Sequence, residues 1–399
     1  MENYDVIIAG AGIVGLSTAY KLLEKEPALK ICILEKENGT ARHQTGHNSG
    51  VIHSGIYYRP GSLKSLNCIR GYQMLLDFCS EKEIAFEICG KVIIAAEETE
   101  LIPLNNLFER GILNGLAGIK KLTAEEIKEL EPHAAGIEGV FVPQTGIVDY
   151  KIISEKIADH LISKGTVIKF SEEVLNFKIR GANVEVITDK NKYSAEIFNG
   201  CAGLYSDKIS ELAGSKPDFR IIPFRGEYYK LKDSSKYLIK NLIYPVPDPD
   251  FPFLGVHFTR RVDGITEAGP NAVLAFKKEG YRKTDFNLSE AMQTFGYIGF
   301  HKVIKKFWKT GFYEMYRSVS KKEFVKSLQK LIPAITENDI ISGGSGVRAQ
   351  ACDINGNLID DFLFSESERF INVCNAPSPA ATSCFSVGET VAEKIMNKI

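Results

Sequence analysis

A glycine-rich turn between an apolar strand and a helix is the feature that most limits what this chain can fold into. Tyr4 to Ala9 is a short apolar run, and the segment Gly10 to Gly15 (GAGIVG) follows it directly before a helical pattern. A second apolar run, Ile31 to Leu34, ends at Glu35, twenty residues after Gly15. This order of strand, glycine turn, helix, strand and terminal acid, at these spacings, predicts a βαβ unit that binds a dinucleotide.

The three glycines have separate roles in such a unit. Gly10 permits the tight turn, Gly12 lets the backbone approach a pyrophosphate, and Gly15 lets helix and strand pack closely. The start of the helix adds unpaired N–H groups and the positive end of its dipole. Glu35 would accept hydrogen bonds from ribose hydroxyls, and a carboxylate there disfavours a 2′-phosphate, so we expect FAD or NAD rather than NADP.

The composition is that of an ordinary globular protein. Of 399 residues, 44% are hydrophobic and 25% are charged, which excludes a disordered or collagen-like chain, and the length predicts two or three domains. The net charge of -1 argues against a nucleic-acid binder, because such proteins need a positive field.

The cellular location follows from three absences in the sequence. The eight cysteines form no CxxC pair and show no zinc-ligand spacing, so we expect a reducing compartment and no metal site. The first strand begins too early for a signal peptide, and no apolar run is long enough to span a membrane. These patterns predict a cytoplasmic protein.

Hydrophobic periodicity places further elements along the chain. Helices are predicted at residues 63–81, 151–164, 301–330 and 385–399, and a capping box, Thr123-x-x-Glu126, opens another helix. Strands are predicted at 91–96, 166–170, 184–188 and 196–199, the last of which could return the chain to the nucleotide-binding sheet. The proline-rich segment 244–252 is predicted to be a loop, and segment 341–350 is glycine-rich.

Long segments of the chain resemble one known family. They are HNSGVIHSGIYYRPGSLK from His47, RVDGITEAGPNAVLAF from Arg261, GVRAQACDINGNLIDDF from Gly346 and NAPSPAATS from Asn375. They are similar to the L-2-hydroxyglutarate dehydrogenase/oxidase branch of the FAD-dependent D-amino-acid-oxidase superfamily. The resemblance covers essentially the whole chain, and no large insertion interrupts it.

The resemblance implies a mixed α/β fold with a Rossmann-like FAD-binding domain and an interleaved antiparallel-sheet domain that covers the substrate. We expect residues 1–87, 146–222 and 339–399 in the FAD-binding domain, and residues 88–145 and 223–338 in the substrate-binding domain. The implied reaction oxidises L-2-hydroxyglutarate to 2-oxoglutarate by hydride transfer to flavin N5. The electrons would then pass to a quinone, another electron-transport acceptor or O2.

The resemblance also implies where FAD binds, and we expect it to be held non-covalently. The segment from Thr45 to Gly50 should lie against the flavin, and so should the loop from Pro377 to Thr382, for which ordinary helix capping by Thr382 or Ser383 is the alternative. The expected cofactor-binding residues are Gly10, Gly12, Gly15, Glu35, Lys36, Thr45, Gly46, His47, Asn48, Ser49, Gly50, Val174, Ala202, Gly203, Pro377, Ser378, Ala380, Ala381 and Thr382.

Oxidation of an alcohol needs a base, and imidazole titrates near neutrality. His53 lies where related glycerol-3-phosphate oxidases place an active-site histidine, so His53 is the expected catalytic base. The alternatives are that His47 has this role or that neither histidine has it. Some relatives tether FAD through a histidine in this region, but no tether is expected here.

A dicarboxylate substrate also requires cations, because buried carboxylates without partners are costly. Arg348 matches the arginine of a GxR motif in relatives and is the first candidate for a catalytic and substrate-binding cation. Many relatives have proline after this arginine, whereas this chain has Ala349. Further candidates for substrate contact are Arg59, Arg225, Arg260, Arg261, Tyr57, Tyr58, Tyr228 and His257.

Residues 301–330 concentrate positive charge. Nine Lys or Arg against two Glu give this segment a net charge of +7 and leave -8 elsewhere. Basic helices with an aromatic face bind anionic membranes, which predicts peripheral contact with the inner face of a membrane that holds the acceptor. The alternative is that this face packs on the substrate domain. The apolar residues at helical spacing are Ile304, Phe307, Trp308, Phe312, Met315 and Val319.

Two other functions remain open on the sequence. The same superfamily includes enzymes that oxidise glycerol 3-phosphate or amino acids and amines. A non-catalytic regulator that binds a dinucleotide would have the same glycine turn but would show no alcohol-dependent bleaching of flavin.

Overall fold

A computed structural model describes residues 2–214, 217–248 and 254–399. Helices and strands alternate along these ranges. The strands are β1 (Glu2–Ala9), β2 (Ile31–Glu35), β3 (Val51–Ile52), β4 (Phe86–Glu87), β5 (Lys91–Ala95), β6 (Lys120–Thr123), β7 (Glu138–Val142), β8 (Gly146–Val148), β9 (Val167–Phe170), β10 (Val174–Arg180), β11 (Asn183–Thr188), β12 (Lys192–Gly200), β13 (Phe219–Leu231), β14 (Leu242–Pro245), β15 (His257–Arg260), β16 (Thr266–Gly269), β17 (Val273–Leu274), β18 (Ile340–Asp353), β19 (Leu363–Glu366) and β20 (Phe370–Asn375).

The helices agree with most of the predicted ones. The predicted helix 63–81 is confirmed, and the capping box at Thr123 and Glu126 opens a helix as expected. The helices are α1 (Ile13–Lys25), α2 (Leu63–Glu81), α3 (Leu101–Leu113), α4 (Ala124–Leu130), α5 (Tyr150–Ser163), α6 (Ser206–Leu212), α7 (Leu288–Phe295), α8 (Ile298–Val319), α9 (Lys321–Gln329) and α10 (Cys384–Met396).

The glycine turn lies in an eight-stranded sheet. Its strands run in the order β10-β11-β12-β1-β2-β9, while β20 joins β12 and carries β19. β1 pairs in parallel with β2 on one side and with β12 on the other, so the chain returns to this sheet where the sequence predicted. The last residues of β1 and all of β2 are buried, as is typical of central parallel strands.

A core of apolar side chains from α1, α5 and α10 packs against this sheet. Leu16 of α1, Ile153 of α5 and Phe385 of α10 are all buried in the same cluster as Ile8 and Ile33 of the sheet. Burial of this apolar stripe on each helix stabilises the βαβ unit and fixes where α1 begins.

A nine-stranded, largely antiparallel sheet forms the second layer. Its strands run in the order β17-β13-β16-β15-β14-β5-β7-β6, and β18 pairs with β13 along nearly their whole lengths. A small sheet, β3-β8-β4, completes the strands of the described ranges. The division of the chain into two domains stays a proposal. Residues 339–399 are expected in the FAD-binding domain, but β18, which lies in this range, pairs with β13 in the nine-stranded sheet.

Local predictions differ from the structure in two places, and the structure also assigns the glycine-rich segment 341–350, for which no element was predicted. This segment is part of β18. Its glycines let other backbones approach: a Cβ on Gly346 would lie 2.2 Å from the carbonyl oxygen of His47. In the predicted loop 244–252, Tyr244 and Pro245 end β14, and residues 249–252 lie outside the described ranges. The predicted helix 301–330 is two helices, separated at Ser320, which caps α9.

Candidate active site

A cavity of about 840 Å³ extends from the glycine turn to the nine-stranded sheet. It brings together residues from both sheets and from the loop before α10. The expected site residues on its wall are Gly10, Gly12, Glu35, Lys36, Thr45, His47, Asn48, Ser49, His53, Tyr57, Tyr58, Val174, Ala202, Gly203, Tyr228, His257, Arg348, Pro377, Ser378, Ala380 and Ala381.

Eight expected site residues do not line this cavity: Gly15, Gly46, Gly50, Arg59, Arg225, Arg260, Arg261 and Thr382. Arg59 is exposed to solvent on the loop before α2, so the structure does not bring it to the substrate region. Three glycines lie where backbones meet: a Cβ would come within 2.1 Å of a carbonyl oxygen at Gly15, 2.2 Å at Gly46 and 2.6 Å at Gly50. Thr382 is buried just behind the wall.

The turn between β1 and α1 leaves a backbone cradle that suits a dinucleotide. Gly10 has φ +111°, and a Cβ there would lie 2.5 Å from the carbonyl oxygen of Cys201. At Gly12, which precedes α1, the nearest atom to a Cβ would be Thr45 Oγ1 at 3.5 Å, so the first turn of the helix faces open space. An N-terminal helix turn of this kind binds phosphate through its N–H groups.

Glu35 at the end of β2 holds the turn as well as facing the cavity. Its Oε2 accepts a hydrogen bond from the Ala11 N–H at 2.7 Å, and its Oε1 accepts one from the Glu37 N–H at 2.9 Å. Each carboxylate oxygen has two lone pairs, so both can still accept from a ribose hydroxyl. Thr45 Oγ1 accepts from the Ile13 N–H at 3.1 Å and joins the next segment to α1.

The loop from Pro377 to Thr382 supports His53 rather than capping its own helix. Thr382 Oγ1 accepts a hydrogen bond from the His53 N–H at 3.0 Å and lies 2.8 Å from the Tyr150 hydroxyl. Ser383 makes no side-chain cap, because its hydroxyl donates to the Pro379 carbonyl at 2.7 Å. The alternative of ordinary capping is therefore wrong.

His53 lies where the glycine-lined and sheet-lined halves of the cavity meet. Its Nε2 is 3.4 Å from Ser378 Oγ, and its Nδ1 is buried without a hydrogen-bond partner among the described residues. Burial lowers the pKa of His53 to about 3, and the charges of Lys91 and Arg348 act in the same direction. The imidazole is therefore neutral at physiological pH.

His257 is a second neutral imidazole on the same wall. Its Nδ1 donates to the Gly255 carbonyl at 2.8 Å, because a carbonyl can only accept, and its ring stacks on Tyr244 with the centroids 3.9 Å apart. Burial lowers the pKa of His257 to about 4. In the neutral ring, Nε2 is therefore an acceptor.

His47 is more exposed than the other two histidines. Its Nδ1 donates to the His43 carbonyl at 3.0 Å, and its ring stacks on Tyr281 with the centroids 4.3 Å apart. These contacts orient the ring at the cavity wall.

Arg348 is the predicted arginine that reaches the cavity. It lies on β18, and burial lowers the pKa of its guanidinium, which still stays charged at neutral pH. The other arginine candidates have carboxylate partners outside this wall. These pairs are Arg225 with Glu227 at 2.9 Å, Arg260 with Glu87 at 2.6 Å and Arg261 with Asp263 at 3.3 Å.

Two buried lysines near the cavity were missed by the sequence analysis. Lys64 lies on the wall and pairs with Asp360 at 2.7 Å. Lys91 opens β5 and is buried against the rings of Tyr57 and Tyr244. A lysine before an apolar run such as VIIA normally marks the exposed end of a strand, so no local signal distinguishes Lys91.

The chain is similar over nearly its whole length to proteins of one family. A family model for FAD dependent oxidoreductases (DAO) matches residues 5–394. The L-2-hydroxyglutarate dehydrogenase of Indibacter alkaliphilus is 53% identical over 98% of both chains. The mitochondrial L-2-hydroxyglutarate dehydrogenase of Bos taurus is 44% identical, over 100% of this chain and 89% of that one.

Solved structures show the same fold. The FAD-bound L-α-glycerophosphate oxidase of Mycoplasma pneumoniae has a TM-score of 0.81 at 23% identity, over 100% of this chain and 95% of that one. Glycine oxidase of Geobacillus kaustophilus has a TM-score of 0.75 at 15% identity, over 100% and 96%. The predicted fold class is therefore confirmed.

The chain belongs to the FAD-dependent oxidoreductase (DAO) family, so it is an oxidoreductase with FAD as its cofactor. Within this family it groups with the L-2-hydroxyglutarate dehydrogenases over essentially its whole length. The open cradle at Gly12 and the free acceptor capacity of Glu35 fit the pyrophosphate and ribose of that cofactor.

Within the described ranges, no helix combines the length and the apolar character that crossing a membrane requires.

Proposed function

We propose that this protein oxidises L-2-hydroxyglutarate to 2-oxoglutarate. One observation carries the proposal: a single cavity wall combines the dinucleotide cradle with the guanidinium of Arg348 and two neutral imidazoles, His53 and His257. Oxidation of a 2-hydroxy acid requires a cation that binds the carboxylate, a base that takes the hydroxyl proton and a site for an electron acceptor. The names of the relatives support this substrate.

The turn from Gly10 to Gly15 would hold the pyrophosphate of FAD, and Glu35 the ribose. The segment from Thr45 to Gly50 and the loop from Pro377 to Thr382 would hold the flavin. Bound FAD supplies the two-electron acceptor that alcohol oxidation needs. We propose that no covalent bond to His47 forms, so acid precipitation should release all yellow colour into the supernatant.

His53 would take the hydroxyl proton at Nε2, because its Nδ1 is buried and Nε2 faces Ser378. Burial, together with the surrounding cations, keeps the imidazole neutral in the free enzyme, so it is ready to accept a proton. A bound dianion would oppose those cations and raise the pKa of His53, which makes it a stronger base only when substrate is present.

Arg348 would hold one substrate carboxylate through paired N–H donors. Tyr228 on β13 and His257 on β15, the two strands that flank β16, would add polar contacts on the same wall. Together these groups would orient the carbon that is oxidised toward the cofactor end of the cavity.

An anaerobic absorbance titration tests the substrate directly. We expect the flavin bands to bleach with L-2-hydroxyglutarate, and to remain with D-2-hydroxyglutarate and with glycerol 3-phosphate. Bleaching by glycerol 3-phosphate or by an amino acid instead would refute the proposal. Bleaching by none of them would favour a dinucleotide-binding regulator within this fold.

We further propose that α8 docks on an anionic membrane and that the electrons pass to a quinone there. Trp308, Phe312 and Val319 are 57%, 78% and 75% exposed, which does not fit packing against the substrate domain. Lys305 and Lys309 on the same helix are exposed, and no carboxylate pairs with them within the described residues. Apolar burial and charge would both favour an anionic surface.

Sedimentation with vesicles tests the docking. The holoenzyme should bind phosphatidylglycerol vesicles at low salt and not phosphatidylcholine vesicles. Replacing Trp308 and Phe312 by Ala should weaken binding, whereas Ile102→Ala, an equally exposed apolar residue on α3, should not. Equal binding by both variants would refute the docking surface.

A further inference from the structure

Lys91 is a buried cation that the reaction described above does not use. It is 1% exposed, and its Nζ lies 4.3 Å from the centroid of the Tyr57 ring and 4.8 Å from that of Tyr244. Within residues 2–214, 217–248 and 254–399, no carboxylate forms an ion pair with it. Burying an ammonium without a carboxylate is costly, so this arrangement needs a reason.

The other buried lysines of the described ranges differ from Lys91. Lys64 pairs with Asp360 at 2.7 Å, and Lys278 pairs with Asp207 at 2.5 Å. Their charges are compensated within the protein. Among the described residues, Lys91 faces two aromatic rings and no carboxylate, and such rings compensate an ammonium less completely than a carboxylate does.

The surroundings of Lys91 connect it to the cavity. The rings of Tyr57 and Tyr244 form part of the wall, and the Tyr57 hydroxyl is buried without a hydrogen-bond partner among the described residues. A cation against the face of a phenol ring withdraws electron density, which makes the hydroxyl a stronger donor. The charge of Lys91 also contributes to the lowered pKa values of His53 and His257, so its field reaches the wall.

We propose that Lys91 determines specificity for a second carboxylate: the Tyr57 hydroxyl donates to the carboxylate that Arg348 does not hold, and Lys91 supplies the compensating charge from behind the ring. The inference rests on the proposed function for the dicarboxylate. Lys91 is a positioning residue, because the two rings and not its own side chain form the wall.

Proton uptake should accompany this binding. Burial lowers the pKa of Lys91 to about 7, and a nearby carboxylate would raise it again. The facing groups do not titrate in this range, because burial raises the pKa of Tyr57, Tyr244 and Cys68 and lowers the pKa of His53 and His257. Above neutral pH, a dicarboxylate should therefore bind together with a proton.

The test compares the wild-type holoenzyme with Lys91→Met, Tyr57→Phe and Lys121→Met. Lys121 is an exposed lysine in the same sheet and serves as the control. The probes are glutarate and pentanoate, which have the same carbon chain, differ by one carboxylate and lack the hydroxyl that is oxidised. Titration calorimetry at pH 8, in two buffers of different ionisation enthalpy, gives both the dissociation constant and the proton uptake.

We expect Lys91→Met to weaken glutarate about 10- to 100-fold and to abolish proton uptake, while pentanoate changes by less than about threefold. Tyr57→Phe should weaken glutarate selectively as well, and Lys121→Met should behave as the wild type. The Lys91→Met holoenzyme should unfold at a higher temperature, because an unpaired buried charge is removed.

A structural role for Lys91 predicts other results. The inference would be overturned if Lys91→Met weakened glutarate and pentanoate equally, or if it left the affinity for glutarate unchanged. A lower unfolding temperature together with weaker binding of both probes would also overturn it. Suppose that L-2-hydroxyglutarate bleaches the flavin of the wild type, but Lys91→Met weakens glutarate no more than it weakens pentanoate. This inference then fails, and the proposed function stands. If the wild type neither bleaches nor binds glutarate, the proposed function fails with it.

Discussion

The two ends of the cavity are built in different ways. The dinucleotide end comes from one continuous stretch, because β1, the glycine turn, α1 and β2 lie within the first 35 residues. The other end, where we propose that the substrate binds and which we call the substrate end, gathers His53 after β3, His257 from β15 and Arg348 from β18. Local backbone preferences determine the geometry of the dinucleotide end. The geometry of the substrate end depends on how strands that are distant in the sequence pair.

Buried polar groups differ between the two ends as well. At the dinucleotide end, Glu35 and Thr45 accept hydrogen bonds from backbone N–H groups. At the substrate end, His53 Nδ1 and the Tyr57 hydroxyl have no partner among the described residues, and Lys91 pairs with no carboxylate there. Partnered groups hold the fold, while unpartnered ones suit a ligand, since natural proteins leave few buried polar groups unsatisfied.

The largest effect is expected at His53. We expect His53→Asn to lower the rate of anaerobic flavin reduction by about 10²- to 10⁴-fold, because the proposed base is removed. The FAD content should not change, because the backbone cradle stays intact. His47→Asn should cost less than tenfold if His53 is the base. Because the pKa of free His53 is about 3, acidification from pH 8 to pH 5 should not remove activity through this residue. A near-normal rate for His53→Asn would assign the base elsewhere.

Arginine replacements test which cation belongs to the substrate end. Arg348→Met should lower kcat/KM for the dicarboxylate by about 100- to 1000-fold, because a bidentate charged contact is lost. Arg59→Met should stay within about twofold, since its side chain is exposed. Steady-state kinetics with both variants would contradict the structure if Arg59→Met had the larger effect.

At the dinucleotide end, Gly10→Ala should act through the backbone. The added Cβ would lie 2.5 Å from the Cys201 carbonyl oxygen at φ +111°, which should destabilise the fold by about 1–3 kcal/mol and release FAD. Gly61→Ala is the matched control, because Gly61 has φ +76° with no atom within 4 Å of a Cβ. Thermal unfolding and the FAD-to-protein absorbance ratio measure both effects, and equal losses would show that backbone strain alone is responsible.

The last prediction concerns the pH dependence that Lys91 gives to stability. Its pKa is about 7 when folded and 10.5 in the reference state, so the unfolded chain binds more protons between these values. The free energy of unfolding should therefore rise with pH across this window. In urea unfolding, the advantage of Lys91→Met over the wild type should shrink between pH 7 and pH 10, and a constant difference would contradict the lowered pKa.

The sequence predicted the dinucleotide end well for a physical reason. Gly10, Gly12, Gly15 and Glu35 follow one another at spacings set by a strand, a turn and a helix, and that order alone constrains the backbone. The long helix 63–81 was equally readable, because its apolar period and its cap at Ser62 are local. The structure of the glycine-rich segment 341–350 was harder to predict. Its glycines are needed because the backbones of β13 and His47 approach it closely, and these residues are distant in the sequence.

The sequence by itself determined that this chain forms a dinucleotide-binding βαβ unit and belongs with FAD-dependent oxidoreductases. Only the tertiary structure decided that Arg348 rather than Arg59 reaches the cavity, and that Lys91 is buried against the Tyr57 ring with no carboxylate pairing with it within the described residues. The reason is the range of the forces involved. Turns and helix starts are specified by neighbouring residues, whereas the burial and charge of a side chain depend on strands that meet only after the whole sheet has formed.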